Sequence, residues 1–449
     1  FTLGANSANV VLDHASNAFS GAVTLLAGAG GSQAFGNVTF VDDSSVKIDA
    51  NADAAGDLFL NAGTDGAAGG NLAVTATTGN ITQGVAVAVT GNSAFTTAAT
   101  DATITLGTTT NALGGTVAFT TAGTAGNVVI DNGTTALDLA ASTISGTLTA
   151  TGGATAGIVD SGNVAVAGNV TLTTDAGNGV INMGTLQQSA GDLILVTNGS
   201  GSATVVNNAA IDFGTSNVGG ALDVTASAGT ITQAGGTLTV AGTSAFTTST
   251  NDQAITLGNT SNALTGTVAF TTGGTTGNVT IDNGTTALDL AASTISGTLT
   301  AIGGATAGIV DSGNVAVAGN VTLTTDAGNG VINMGTLQQS AGDLLLVTNG
   351  NGAATVVNNV GIDFGTSNVG GALTVTATTG DITQAGGALT VAGASSFTLG
   401  ANSANVVLDH ASNAFSGAVT LLAGAGGGQA FGHVTFLDDS AVKIDADAD

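Results

Sequence analysis

The stretch Gly168–Ala190, GNVTLTTDAGNGVINMGTLQQSA, returns unchanged at Gly319–Ala341, and it limits the possible folds more than any other feature of the chain. It holds three short strand-like runs: Val170-Thr171-Leu172-Thr173, Gly179-Val180-Ile181-Asn182 and Gly184-Thr185-Leu186. Small, turn-forming residues fill most of the space between them. Runs this short bury too little surface to be stable alone, so copies must stack on one another. The stretch therefore reads as one turn of a parallel β-solenoid.

Longer repeats surround it. Phe95 recurs as Phe246 and again as Phe397, both times after 151 residues, and Asp131 and Asp175 recur as Asp282 and Asp326 at the same offset. Residues 1–53 return as 397–449 with five substitutions, among them Asn37 to His433 and Ser45 to Ala441. We expect one continuous solenoid over 1–449, built as a short module 1–94, long modules 95–245 and 246–396, and a partial short module 397–449. The pattern suggests a window cut from a longer array, with any targeting segment removed or outside it.

Within a long module a glycine precedes each first strand, at Gly115, Gly146, Gly168, Gly191, Gly220 and Gly242, and the spacing is uneven, longest after Gly115 and Gly191. Side chains two apart share a face, so Val117/Phe119, Val170/Leu172, Leu193/Leu195 and Leu222/Val224 are expected to point inward. The predicted core stack is Phe95, Phe119, Leu172, Leu195, Val224, Phe246, Phe270, Leu323, Leu346, Val375 and Phe397. The expected class is all-β, a right-handed parallel β-helix with about three short strands per 22–31-residue coil. Roughly 17–18 coils at about 4.8 Å each give about 80–90 Å. The interval from Gly56 to Gly70 is too short for a three-strand turn. Tandem immunoglobulin-like sandwiches compete, but they want about 100 residues per unit and usually a buried Trp or Tyr.

Composition narrows the function. The chain has 72 Gly, no Pro, Cys, Trp or Tyr, and a net charge of −27 carried by aspartate, with Lys47 and Lys443 its only basic residues besides histidine. Disorder is opposed by the period-two aliphatic runs. Nucleic acid as a partner, like an anionic membrane surface, needs Lys or Arg to meet its phosphates and is excluded. No apolar run approaches the about 20 residues of a membrane helix.

The phrase Gly219-Gly220-Ala221-Leu222-Asp223-Val224-Thr225-Ala226, followed by Gly229-Thr230-Ile231-Thr232-Gln233, stands again at Gly69–Gln83 and Gly370–Gln384. It resembles the repeats of filamentous haemagglutinin-like exoproteins and autotransporter passengers. That resemblance implies a right-handed β-helix, secretion across a bacterial outer membrane, and a role in adhesion or fibre formation. It extends to architecture and names no ligand.

Candidate chemistry lies in a polar position after the second strand: Asp13, Asp42, Thr82, Thr105, Asp131, Asp160, Asn182, Asn207, Thr232, Thr256, Asp282, Asp311, Asn333, Asn358, Thr383, Asp409 and Asp438. We expect one column of corner side chains bonded to turn backbone or to the next coil. A sharper reading puts Asp131 one coil from Asp160, and Asp282 from Asp311, as calcium ligands. Calcium takes six to eight oxygens, and no calcium-loop motif is present. His14, His410 and His433 read as solvated turn residues, and Lys47 and Lys443 as partners of nearby aspartates. Gly28–Gly31 lacks the lysine and helix of a phosphate loop. Paired carboxylates of a polysaccharide-cleaving β-helix would be a unique constellation rather than a tiled one, so we expect no enzyme and no cofactor. The expected role is a structural extracellular rod, fibre or adhesin stalk, associating head to tail or with further repeats of the same chain. The alternative is a binding surface for glycans or a cell receptor, or for ice through outward threonines.

Overall fold

The computed structural model describes residues 1–28, 33–51, 54–61, 67–153, 155–175, 177–326, 328–384, 386–424, 429–440 and 442. Among them every regular element is a β-strand. The chain divides into two compact units, Phe1–Ser227 and Ala228–Asp449. Each is a β-solenoid of parallel strands, with coils of ~22 residues.

In the first unit the chain crosses between two sheets at each half-turn. Leu148–Gly152, Val170–Thr174 and Asp192–Val196 lie side by side in the first sheet, with Leu148 opposite Val170 and Val170 opposite Leu193. The intervening arms pair in the second sheet: Ile158–Asp160 and Val164–Val166, then Ile181–Gln188, then Ala203–Asn207. Alternation of apolar and polar residues sends every second side chain to the core between the sheets. The third strand of a coil takes two forms. At Ala67–Ala68, Ala88–Val89 and Ala112–Leu113 it builds a small sheet of its own. Farther on it joins a main sheet, so that Ile158–Asp160 and Val164–Val166 together match the single strand Ile181–Gln188.

The second unit contains a complete long module and shows how that module divides into coils. In its second sheet, seven steps from strand to strand lead from Ser244 to Ser395. Six longer coils were expected. The interval from Gly266 to Gly297 is a turn and a half, because Thr267–Gly273 lies in the second sheet and Leu299–Gly303 in the first. The interval from Gly342 to Gly371 behaves alike, with Asp343–Val347 in the first sheet and Leu373–Ala377 in the second. The reason lies in the supposed long corners. Leu288, Leu290 and Ile295 in one, and Ile362, Phe364 and Val369 in the other, are apolar and take places in the core.

The predicted core residues are all fully buried. They do not form one stack, however. Phe95, Phe119 and Val224 point in from the second sheet of the first unit, and Leu172 and Leu195 from its first sheet. In the second unit Phe246, Phe270, Val375 and Phe397 come from one sheet, and Leu323 and Leu346 from the other. Phe95 stacks on Phe119 at 6.0 Å and Phe246 on Phe270 at 5.9 Å between ring centroids.

The short interval after Gly56 holds an inserted strand. Asp57–Asn61 lies between Val23–Ala27 and Val46–Asp49, pairing with both, and so adds a rung out of chain order. Residues 62–66 of that interval lie outside the described residues, as do Ala29–Gly31 of the glycine-rich loop and Lys443. Glycine is required where corners touch: a Cβ on Gly219 would sit 1.7 Å from the Gly199 carbonyl oxygen, and one on Gly370 equally close to that of Gly350.

Candidate functional site: the polar corners

Because strands alternate between sheets, the expected single polar column does not exist. Asp131 lies in the first sheet, its strand register running Val128 opposite Leu148 and Asp131 opposite Thr151. Asp160 lies in the second sheet, opposite Leu139. The same separation holds for Asp282, opposite Ile302, and Asp311, opposite Leu290. The half-turn between them is what sequence spacing concealed, and the proposed calcium pairs are not brought together. Among the described residues no three His or Asp side chains are placed to hold a metal ion.

Each of these carboxylates instead has a backbone partner. Asp131 and Asp282 accept from the N–H two residues on, Gly133 and Gly284, both at 2.8 Å, which closes a local turn. Asp160 reaches the next coil, accepting from the Gly184 and Thr185 N–H groups at 2.8 and 2.7 Å and from the Thr185 hydroxyl at 2.9 Å. Asp311 repeats this with Gly335 and Thr336. Asp42, buried, accepts from Phe19 N–H and the Ser44 hydroxyl, and Asp438 from Phe415 N–H and the Ser440 hydroxyl.

Asn207 and Asn358 play a different part, fully buried at a corner. The Asn207 Oδ1 accepts from Gln188 N–H at 2.8 Å, while Nδ2 donates to the Gln188 and Ala210 carbonyls at 3.0 and 2.9 Å. Asn358 makes the same three bonds to Gln339 and Gly361. Sequence reasoning missed their counterparts Asn132 and Asn283, which clamp Leu113 and Leu264 through both backbone groups. It also missed Asn111, Asn262 and Asn413, which pair with Gln83, Gln233 and Gln384. The signal was available in the phrase Asn-Ala-Leu at 111 and 262, repeated as Asn-Ala-Phe at 413.

The remaining members of the column are scattered. Asn182 is exposed and sits opposite Val159, and Asn333 opposite Val310. Asp13 and Asp409 are exposed. Thr82 faces Thr105. Thr256, Thr280, Thr300 and Thr322 stand in register and lead to Leu345. Thr383 donates to Asp363 at 2.9 Å, and Thr232 ends the two-residue strand Ile231–Thr232. His14 and His410 accept the N–H two residues on through Nδ1, at 3.1 and 3.2 Å, and His433 bonds Thr435.

Among the described residues three aspartates hold their charge more firmly than usual. Asp101 and Asp252 occupy left-handed backbone at φ 61 and 62. The N–H groups of Thr124 and Ala125 bond Asp101 Oδ1 and hold its carboxyl below the usual range. Thr275 and Thr276 do so for Asp252. The Lys47 ammonium, donating to Asp49, lowers that carboxyl as well. A depression lined by Phe19, Asp43, Ser44, Ser45 and Gly56 measures about 490 Å³, and one lined by Gln339, Asp363, Asp381 and Thr383 about 350 Å³.

The chain matches the family described as "Repeats of unknown function (DUF5649)" at residues 35–120, 125–199, 200–271, 276–348 and 350–422. It belongs to that family. No curated protein and no solved structure matches it. The two matches inside the second unit, 276–348 and 350–422, begin about half of the 151-residue module apart, which is about three and a half coils. Corresponding strands of the two DUF5649 repeats consequently change sheets. Val279–Asp282 lies in the first sheet and its equivalent Ala354–Asn358 in the second, while Leu288–Leu290 lies in the second and Ile362–Phe364 in the first. Asn283 and Asn358 are therefore the same corner clamp, half a module apart in sequence and half a turn round.

Proposed function

We propose that this chain is a stretch of a structural fibre or adhesin stalk on the outside of a bacterial cell, lengthened by adding coils and able to associate end to end. The observation that supports this reading most is the use made of the recurring corner side chains. Asn132, Asn207, Asp160 and their copies are bonded to backbone of a neighbouring coil, at matching positions in the two long modules. Polar groups committed to holding coil to coil make a material, since a ligand site needs convergent groups left over for the ligand. The resemblance to haemagglutinin-like and autotransporter repeats supports the extracellular placement. The test is electron microscopy of intact producing cells labelled with an antibody to the folded chain. Label along surface fibres is expected. Label that appears only after cell lysis would overturn the reading.

A further inference from the structure

We propose that Asn198 and Asn349 are sites of spontaneous deamidation in the folded protein, and that the same dipeptide at Asn132 and Asn283 is locked against it by the corner clamp. Asn-Gly occurs at Asn132, Asn178, Asn198, Asn283, Asn329, Asn349 and Asn351. The reaction needs a free glycine N–H and a free asparagine amide. The glycine nitrogen attacks Cγ, the N–Cγ bond forms, and the Cγ–Nδ2 bond breaks. Ammonia leaves, carrying the proton given up by the glycine nitrogen. Water then adds to the cyclic imide and opens it at either carbonyl, leaving aspartate or isoaspartate. Glycine favours the attack because no Cβ obstructs the nitrogen.

The structure sorts the sites by these two requirements. At Asn132 the amide is engaged by Leu113 and Ala136, and the Gly133 N–H is bonded to Asp131. Asn283 is held in the same way, with Gly284 on Asp282. Asn178 and Asn329 are exposed but have Oδ1 engaged by the N–H of Ser200 and Asn351. At Asn351 the following Gly352 N–H is bonded to the Asn349 carbonyl. Asn198 and Asn349 alone are exposed with neither group engaged by any described residue, and each precedes a glycine at φ +57. Their corner is pinned from both sides, since Thr197 Oγ1 donates to the Gly201 carbonyl and accepts from Gly219 N–H, as Thr348 does with Gly352 and Gly370. The change of charge is thus confined to the corner, and the coil survives it.

The test is incubation of the full folded chain at mildly alkaline pH, followed by peptic digestion and a time course of peptide masses. Ser200 in one copy and Asn351 in the other tell the two corners apart. Asn198 and Asn349 are expected to convert at least about tenfold faster than Asn132 and Asn283, the effect of hydrogen bonds that must break before attack. In denaturant the rates of all four should converge. Equal rates in the folded chain, or Asn198 and Asn349 staying intact while the unfolded chain reacts, would overturn the proposal. Asp131→Ala, which releases the Gly133 N–H, is expected to speed conversion at Asn132 and leave Asn283 unchanged. No change at Asn132 would overturn the part assigned to that bond.

Discussion

Asn207 and Asn358 each close three backbone hydrogen bonds from a position without solvent contact, and loss of the side chain would strand the N–H and C=O of the residue they clamp. A stranded buried backbone group costs about 1–3 kcal/mol, so each corner amide is worth more than an exposed carboxylate beside it. Sequence showed Asp and Asn after the second strand alike and gave no way to rank them. Only the register reveals which side chains turn inward. Asp101 and Asp252 are the exposed counter-example, and they make stability depend on pH. Their carboxyl pKa is lowered in the folded protein by two backbone N–H bonds. The stabilisation is therefore present above the ordinary aspartate value and is lost as pH falls through the lowered folded value. Amide exchange at Thr124, Ala125, Thr275 and Thr276 should accelerate in that acid window. In Asp101→Asn, which keeps a residue tolerant of left-handed backbone, exchange at Thr124 and Ala125 should lose its acid dependence. Exchange that stays pH-independent in the parent chain, apart from the intrinsic rate, would contradict this.

Strands themselves were legible: alternation in Val170-Thr171-Leu172 and Leu193-Ile194-Leu195 marked inward residues that are buried in the structure. What periodicity could not supply was the path between strands. A lengthened corner and an extra half-turn look alike until Leu288, Leu290 and Ile295 are recognised as needing burial. The inserted strand Asp57–Asn61 showed only as an interval too short for a turn, since spacing does not say which strands pair out of chain order. Register distinguishes the alternatives. Thr280 is the cross-strand partner of Thr300, whereas a single column of first strands would have put Ala269 there. The pair Thr280→Cys and Thr300→Cys should oxidise to a disulfide, because neighbouring strands hold Cα atoms at about 5 Å, within disulfide reach. Ala269→Cys with Thr300→Cys should remain reduced. The reverse result would restore the long-corner coil.

At the scale of the molecule, the 151-residue period was plain in the sequence and its division into two DUF5649 repeats was not. The halves share corner clamps and arm lengths more than letters, and a repeat of three and a half coils returns each feature on the opposite sheet. Two such repeats restore the starting face, which explains why near-identity reappears after the whole module rather than after half of it. Within each unit, then, stability comes from contacts between adjacent coils, and force should undo the stack in coil-sized steps. Single-molecule stretching of the full chain tests this most directly. One coil of ~22 residues should release about 75 Å of contour, and length increments at that value and its multiples are expected. Increments clustering near about 350 Å, the length of a roughly 100-residue sandwich domain, would contradict it.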